Sequence, residues 1–150
     1  MSDLKQRILF VCIHNSGRSQ MAEAFLKKYG SENFEVESAG LEPGELNPNV
    51  VEVMKEVGID ISNNETQSVF DLFIKGRLFN AVITVCDEAS AESCPIFPGM
   101  VKRIAWSFTD PSSFTGSKQE ILEKTAVVRD QIEKKVLEFI SSAKELIFWV

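Results

Sequence analysis

The chain has 150 residues, 44% of them hydrophobic and 25% charged, which is typical of a single soluble globular domain. The net charge of −6 disfavours nucleic acid and anionic membrane surfaces as partners, so an anion site must be built locally from backbone dipoles and a few basic groups. The apolar runs near the two ends are too short for a signal peptide or a membrane span. We therefore expect one monomeric domain over residues 1–150 in a reducing cytoplasm, where the three cysteines are available for chemistry.

The first predicted elements are a strand, a tight loop and a helix. The apolar run Ile8 to Val11 predicts a buried strand, and apolar residues at helical spacing predict a helix from about Ser19 that stops at Gly30. This order surrounds one small volume with backbone N–H groups and the positive end of a helix dipole, which suits a tetrahedral oxyanion. The expected oxyanion-binding residues are Ile13, His14, Asn15, Ser16, Gly17, Arg18 and Ser19.

Cys12 and Arg18 enclose this loop from its two ends. The planar guanidinium of Arg18 can hold two oxygens of an anion, and the same positive environment favours a nucleophilic thiolate at Cys12. A cysteine at a strand end is often only a small core residue. The interval of five residues between Cys and Arg, with Gly17 inside it, favours the catalytic interpretation.

The next part of the chain predicts a strand and two helices. Phe34–Ser38 alternates apolar and polar residues, as a strand does, and Ala39-Gly40 is expected to end it. Asn47 is a predicted N-cap with Pro48 at the first helical position. After a polar loop, Val69–Lys75 predicts a short helix.

The second half of the chain contributes two more strands and the other cysteines. Asn80–Val85 is an apolar, β-branched run that predicts a buried strand with Cys86 at its end. The small and polar segment Asp87–Pro98 is weakly helical and contains Cys94. Val101–Trp106 predicts the fourth strand, which leads to a Thr109-Asp110-Pro111 turn.

A long final helix completes the pattern. Ser117 and Glu120 form a predicted capping box, followed by an apolar stripe at spacings of three and four residues. The alternation of strands and helices predicts an α/β fold with a parallel sheet between two helical layers. Ligands of such sheets bind beyond the carboxyl ends of the strands, and Cys12, Cys86 and Asp110 all follow predicted strands.

Seven residues separate Cys86 from Cys94, and their role has three interpretations. They are incidental thiols, part of a metal site with Cys12 and His14, or a redox pair. Zinc sites usually have closer cysteine pairs, which disfavours the metal site. The segment between them has few bulky apolar residues, so it could rearrange without exposing a core, as a disulfide between them requires.

Together these motifs resemble the low-molecular-weight tyrosine phosphatase superfamily, and most closely its thioredoxin-coupled arsenate reductase branch. The resemblance begins with Cys-x5-Arg-Ser directly after the first strand and continues into the final helix. The matching segments are Val11-Cys12, Asn15, Arg18 to Ala24, Glu37 to Gly40, Asn47 to Asn49, Val85 to Asp87, Cys94-Pro95 and Thr109 to Pro111.

The resemblance implies a three-layer, doubly wound fold with four strands in the order 2-1-3-4. It also implies a thiol relay: Cys12 attacks arsenate, Cys86 resolves the adduct with release of arsenite, and Cys94 takes over the disulfide for reduction by thioredoxin. Asp110 would be the general acid. No tightly bound cofactor is expected, although a potassium ion is implied behind the loop, with Asn15, Glu23, Ser38 and Thr66 as candidate ligands.

Two other functions remain open. A phosphatase would need Cys12, Arg18 and Asp110 only, and a non-enzymatic redox or anion sensor would need the Cys86–Cys94 pair. Phosphatases of this superfamily commonly carry aromatic residues after the Asp-Pro pair, whereas this chain has Ser112-Ser113, which favours the reductase. Phosphate and sulfate are the expected competing anions.

Overall fold

A central parallel sheet of four strands organises the protein, as seen in a computed structural model that describes residues 5–149. The strands lie in the order β2-β1-β3-β4, which confirms the predicted order. Their bounds are Gln6–Cys12 for β1, Phe34–Gly40 for β2, Ala81–Thr84 for β3 and Lys102–Ala105 for β4. All three neighbouring pairs are parallel, so the carboxyl ends of the strands share one edge of the sheet.

The side chains of β1 alternate between two cores on opposite faces of the sheet, because successive residues of a strand point to opposite sides. Ile8, Phe10 and Cys12 belong to the larger core, and Leu9 and Val11 to the smaller one. The apolar run therefore has no polar face, as is usual for a strand covered on both sides. Cys12, the last residue of β1, therefore lies on the side of the larger core.

Helices cover both faces, as predicted. The larger core is covered by α1 (Arg18–Gly30), α2 (Pro48–Glu56) and α5 (Lys118–Ala143). The smaller core contains residues of α3 (Val69–Ile74) and of the segment after α4 (Glu88–Ala91). No helix within residues 5–149 is long and apolar enough to cross a bilayer.

The predicted helix caps are confirmed. The side chain of Asn47 accepts a hydrogen bond from the N–H of Asn49, with Pro48 at the start of α2. Ser117 and Glu120 form the reciprocal capping box of α5. Asp110 caps a short 3₁₀ helix, Pro111–Ser113, at the predicted Thr109-Asp110-Pro111 turn.

The predicted end of the second strand was wrong. β2 continues through Ala39 to Gly40, because Gly40 pairs with Cys12 at the end of β1. Pairing with β1 extends β2 to Gly40, although Ala39 and Gly40 are small residues. At the C-terminal end, a 3₁₀ helix over Leu146–Trp149 packs Phe148 on Phe139 of α5, with 5.6 Å between ring centroids.

Candidate active site

The thiol of Cys12 is the centre of the site. It is buried, with 2% of its surface exposed, and its Sγ lies 2.8 Å from Ser19 Oγ and 3.2 Å from the backbone nitrogen of Asn15, which donates to it. Ser19 Oγ already accepts a hydrogen bond from Asn15 Nδ2 at 2.8 Å, so the Ser19 hydroxyl hydrogen is available to the sulfur. Two donors directed at one sulfur suit a group that carries negative charge.

The backbone of the loop after Cys12 is held from outside by the segment of residues 41–47, which we call the strap. The strap N–H groups donate to loop carbonyls in four bonds: Leu41 to Cys12 at 3.1 Å, Glu42 to Ile13 at 2.7 Å, Gly44 to His14 at 3.0 Å and Asn47 to Ser16 at 2.9 Å. In a planar trans peptide the C=O and the following N–H point in opposite directions. The loop N–H groups therefore face inward, as the bond from Asn15 N–H to Cys12 Sγ shows directly. The loop forms a cradle of N–H donors around the sulfur.

Asn15 gives the loop its turn and is completely buried. It has a φ of 56°, in the left-handed region that asparagine tolerates better than most residues. Its Nδ2 donates to Ser38 Oγ at 2.9 Å, its Oδ1 accepts from the Gln67 N–H at 3.1 Å, and its carbonyl accepts from Gln20 Nε2 at 3.1 Å. These bonds hold the strained conformation from three directions.

Gly40 is a residue of the site that sequence reasoning missed. A Cβ at this position would lie 2.7 Å from both the nitrogen of Asn15 and the carbonyl oxygen of Ile13, closer than real Cβ contacts. The end of β2 therefore needs glycine so that the loop can pass over it. Gly40 lies in the matching segment Glu37 to Gly40, but from the sequence its small size predicts only the end of a strand.

Arg18 begins α1 and is buried, with 6% of its side chain exposed. Its Nη1 donates to the Phe108 carbonyl at 3.2 Å, and its Nη2 lies 3.5 Å from Asp110 Oδ2. Asp110 is one-third exposed, and its Oδ1 accepts a hydrogen bond from the Ser112 N–H at 2.9 Å. The structure thus brings Arg18 and Asp110 together, with a carboxyl group beside the residue expected to bind the anion.

We expect Arg18→Lys to lower the turnover of any oxyanion substrate about 100-fold or more. The lysine ammonium lacks the planar guanidinium, which can contact the Phe108 carbonyl, Asp110 and two anion oxygens at the same time. The measurement is kcat/KM for the lysine variant beside the parent, with thermal unfolding as the check on folding. A near-normal rate would show that the backbone cradle alone holds the anion.

Cys86 lies next to the cradle. β3 pairs with β1 up to Thr84 opposite Val11, and the N–H of Val85 donates to the Val11 carbonyl at 2.8 Å, so Cys86 directly follows the strand end beside Cys12. It is 2% exposed and belongs to the same core as Cys12. Burial raises the pKa of the Cys86 thiol and the nearby Cys12 raises it further, while the charge of Arg18 opposes the rise.

Cys94 is also buried but belongs to the smaller core, with Leu9, Val82 and Phe97. Burial raises its pKa to about 11, partly opposed by the charge of Arg103. All three cysteines are free thiols. Cys94 therefore has to leave its present surroundings before it can react as a thiolate.

The four candidate potassium ligands are only partly brought together. Asn15 donates to Ser38, and Ser38 Oγ donates to Glu23 Oε1 at 2.5 Å, whereas the Thr66 hydroxyl donates to the Gly44 carbonyl at 2.6 Å. Hydroxyl, amide and carboxylate oxygens are ligands that suit a hard cation. In this arrangement they bond to one another and to the backbone, so a potassium ion stays a prediction.

The alternative metal site of Cys12, His14, Cys86 and Cys94 gains no support. Among the side chains that the structure describes, no group of three or more His, Cys, Asp or Glu residues is placed to hold a metal ion. The His14 ring instead lies 2.8 Å from the Glu42 carbonyl, and Cys94 lies in the other core from Cys12.

A thiol, an inward-facing N–H cradle, an arginine and an aspartate are thus assembled at one sheet edge. Residues 7–146 match the family model of the low molecular weight phosphotyrosine protein phosphatases. The chain belongs to this family.

Within the family the chain is similar to arsenate reductases. The arsenate reductase of Bacillus subtilis strain 168 is 44% identical over 137 residues, which cover 91% of this chain and 96% of that protein. A solved structure of an arsenate reductase in the phosphate binding state is 30% identical with a TM-score of 0.70, over 91% of this chain and 97% of that one. A thioredoxin-dependent arsenate reductase of Corynebacterium glutamicum is 31% identical with a TM-score of 0.63, over 91% and 64%. The predicted branch of the superfamily is confirmed.

Proposed function

We propose that this family member reduces arsenate to arsenite through a relay of Cys12, Cys86 and Cys94, regenerated by thioredoxin. The observation that carries the proposal is Cys86: a second buried thiol follows the strand end next to that of Cys12 and belongs to the same core. A hydrolase, whose covalent intermediate is cleared by water, has no use for it. The named relatives support arsenate as the substrate and thioredoxin as the reductant.

The first step is attack on arsenic. Arsenate lies in the N–H cradle with Arg18 on its oxygens, and the Cys12 thiolate forms an S–As bond while one As–O bond breaks. The departing group is a hydroxyl of the arsenate, which takes one proton from Asp110 and leaves as water. The position of Asp110 supports this role, because its Oδ2 lies 3.5 Å from Nη2 of the Arg18 guanidinium that would hold the anion.

The second step is the reduction itself. Cys86, after losing its proton, attacks the Cys12 sulfur, so that an S–S bond forms and the S–As bond breaks. The electron pair of that bond stays on arsenic, which changes from As(V) to As(III) and leaves as arsenite. The two sulfurs together give up the two electrons.

The third step transfers the disulfide away from the cradle. Cys94 attacks Cys86, which releases the Cys12 thiolate and leaves a Cys86–Cys94 disulfide for thioredoxin to reduce. Because Cys94 is buried in the smaller core with a pKa of about 11, the segment that carries it must first open. The nearby side chains of Ile96 and Met100 are largely exposed, 72% and 101%, so opening the segment has to move mainly Cys94 and Phe97 out of the smaller core.

A phosphatase activity of the same site is the second candidate, favoured by the pairing of Arg18 with Asp110, which would serve a phosphate ester equally well. Phosphorus would stop at a thiophosphate on Cys12, and water would complete hydrolysis. Phosphate and sulfate should then compete for the cradle in either reaction. A redox or anion sensor without catalysis remains the third alternative.

The deciding experiment measures two activities of the same preparation: the oxidation of thioredoxin in the presence of arsenate, and the hydrolysis of an aryl phosphate. We expect arsenate-dependent oxidation of thioredoxin over many turnovers and little or no hydrolysis. Rapid hydrolysis without arsenate-dependent oxidation would favour the phosphatase, and neither activity would favour the sensor. We further propose that the protein is a monomer in the cytoplasm. Adding potassium to the same assay tests whether the ion affects the activity.

A further inference from the structure

The side chain of His14, the single histidine of the chain, has no part in the chemistry above. The residue is exposed on the loop, and its Nδ1 lies 2.8 Å from the carbonyl oxygen of Glu42 in the strap. A carbonyl oxygen only accepts, so Nδ1 carries the hydrogen and donates it. The bond joins a side chain of the loop to the backbone of the strap.

This bond runs in the opposite direction to the other bonds between loop and strap. In those bonds strap N–H groups donate to loop carbonyls, including Gly44 to His14 at 3.0 Å. His14 therefore holds the strap twice, through its own carbonyl and through its ring. It also packs against Gly44, where a Cβ would lie 3.5 Å from His14 Cβ.

The strap needs such support because residues 42–45 are exposed and form no helix or strand. Water competes for the backbone groups of such a segment. When the strap opens, the loop carbonyls lose their partners and the N–H groups of the cradle lose their fixed direction. Donors that are oriented before the anion arrives bind it more tightly than donors that must be ordered on binding.

We propose that the His14 side chain is a positioning residue, which holds the strap on the loop and thereby sets the affinity of the cradle for tetrahedral anions. It acts through the Glu42 carbonyl and does not touch the anion. The inference rests on the proposed oxyanion site. The Thr66 hydroxyl also donates to the strap, at the Gly44 carbonyl, whereas His14 is the side-chain donor that joins the strap to the loop itself.

The test compares His14→Ala with His14→Asn, its matched control. Asparagine Nδ2 is as many bonds from Cα as histidine Nδ1, so it can donate to the same carbonyl, whereas alanine cannot. Alkylation of Cys12, located by mass spectrometry, is titrated with inorganic phosphate. The phosphate concentration for half protection should rise about fivefold in His14→Ala and stay within about twofold of the parent in His14→Asn. The KM for arsenate should follow the same order.

Amide hydrogen exchange tests the strap without any anion. The N–H groups of Glu42 and Gly44 should exchange several-fold faster in His14→Ala and at the parent rate in His14→Asn. Parent-like exchange in His14→Ala, or an asparagine variant as impaired as the alanine one, would overturn the proposal. If phosphate does not protect Cys12 of the parent protein from alkylation, the proposed oxyanion site is wrong. Amide hydrogen exchange in the strap would then still decide the role of His14.

Discussion

Replacing Cys12 with serine should abolish arsenate reduction and any phosphatase activity, lowering both by about 10⁴-fold or more. A neutral hydroxyl cannot replace the thiolate as nucleophile, and oxygen cannot take part in a sulfur relay. The measurement is turnover of arsenate and of an aryl phosphate by the variant at the highest practical protein concentration.

Folding is the control for this variant, because Cys12 is buried at the junction of β1 and the cradle. Serine is close in size and can keep the contact with Ser19, so we expect a cooperative unfolding transition near that of the parent. Retention of either activity in the folded variant would contradict the assignment of Cys12 as the shared nucleophile.

The serine variants of the other two cysteines should fail at different steps of the relay. Cys94→Ser should complete one turnover, releasing about one arsenite per chain and trapping a Cys12–Cys86 disulfide. Cys86→Ser should release little arsenite, because no other thiol lies beside the cradle to resolve the adduct. Single-turnover arsenite release and disulfide mapping by mass spectrometry distinguish the two variants.

Aryl phosphate hydrolysis is the internal control for both variants, since it needs neither thiol. Any such activity in the parent should survive largely intact, apart from local disturbance by the change at Cys86. If both variants instead cycle arsenate with thioredoxin as fast as the parent, the relay is wrong.

Local sequence signals predicted most of the fold. The apolar run of β1, the Asn47-Pro48 start of α2 and the Ser117–Glu120 box of α5 all depend on neighbours within a few residues, which the sequence displays directly. The placement of Cys12, Cys86 and Asp110 at one sheet edge followed because parallel strands end together.

The parts that could not be predicted depend on residues far apart in the chain. The left-handed turn at Asn15 is held by Ser38 and Gln67, and Gly40 is required by a loop that crosses it. Neither spacing nor hydrophobic pattern records such contacts. The separation of Cys94 from Cys86 into another core has the same origin, since it depends on how the segment after α4 packs on the sheet.

One measurement tests the three-thiol reduction most directly: a single turnover of fully reduced protein with excess arsenate and no reductant. We predict about one arsenite per chain, a disulfide between Cys86 and Cys94, and Cys12 returned to a free thiol that phosphate protects from alkylation. All three thiols remaining free, with no arsenite released, would contradict the account.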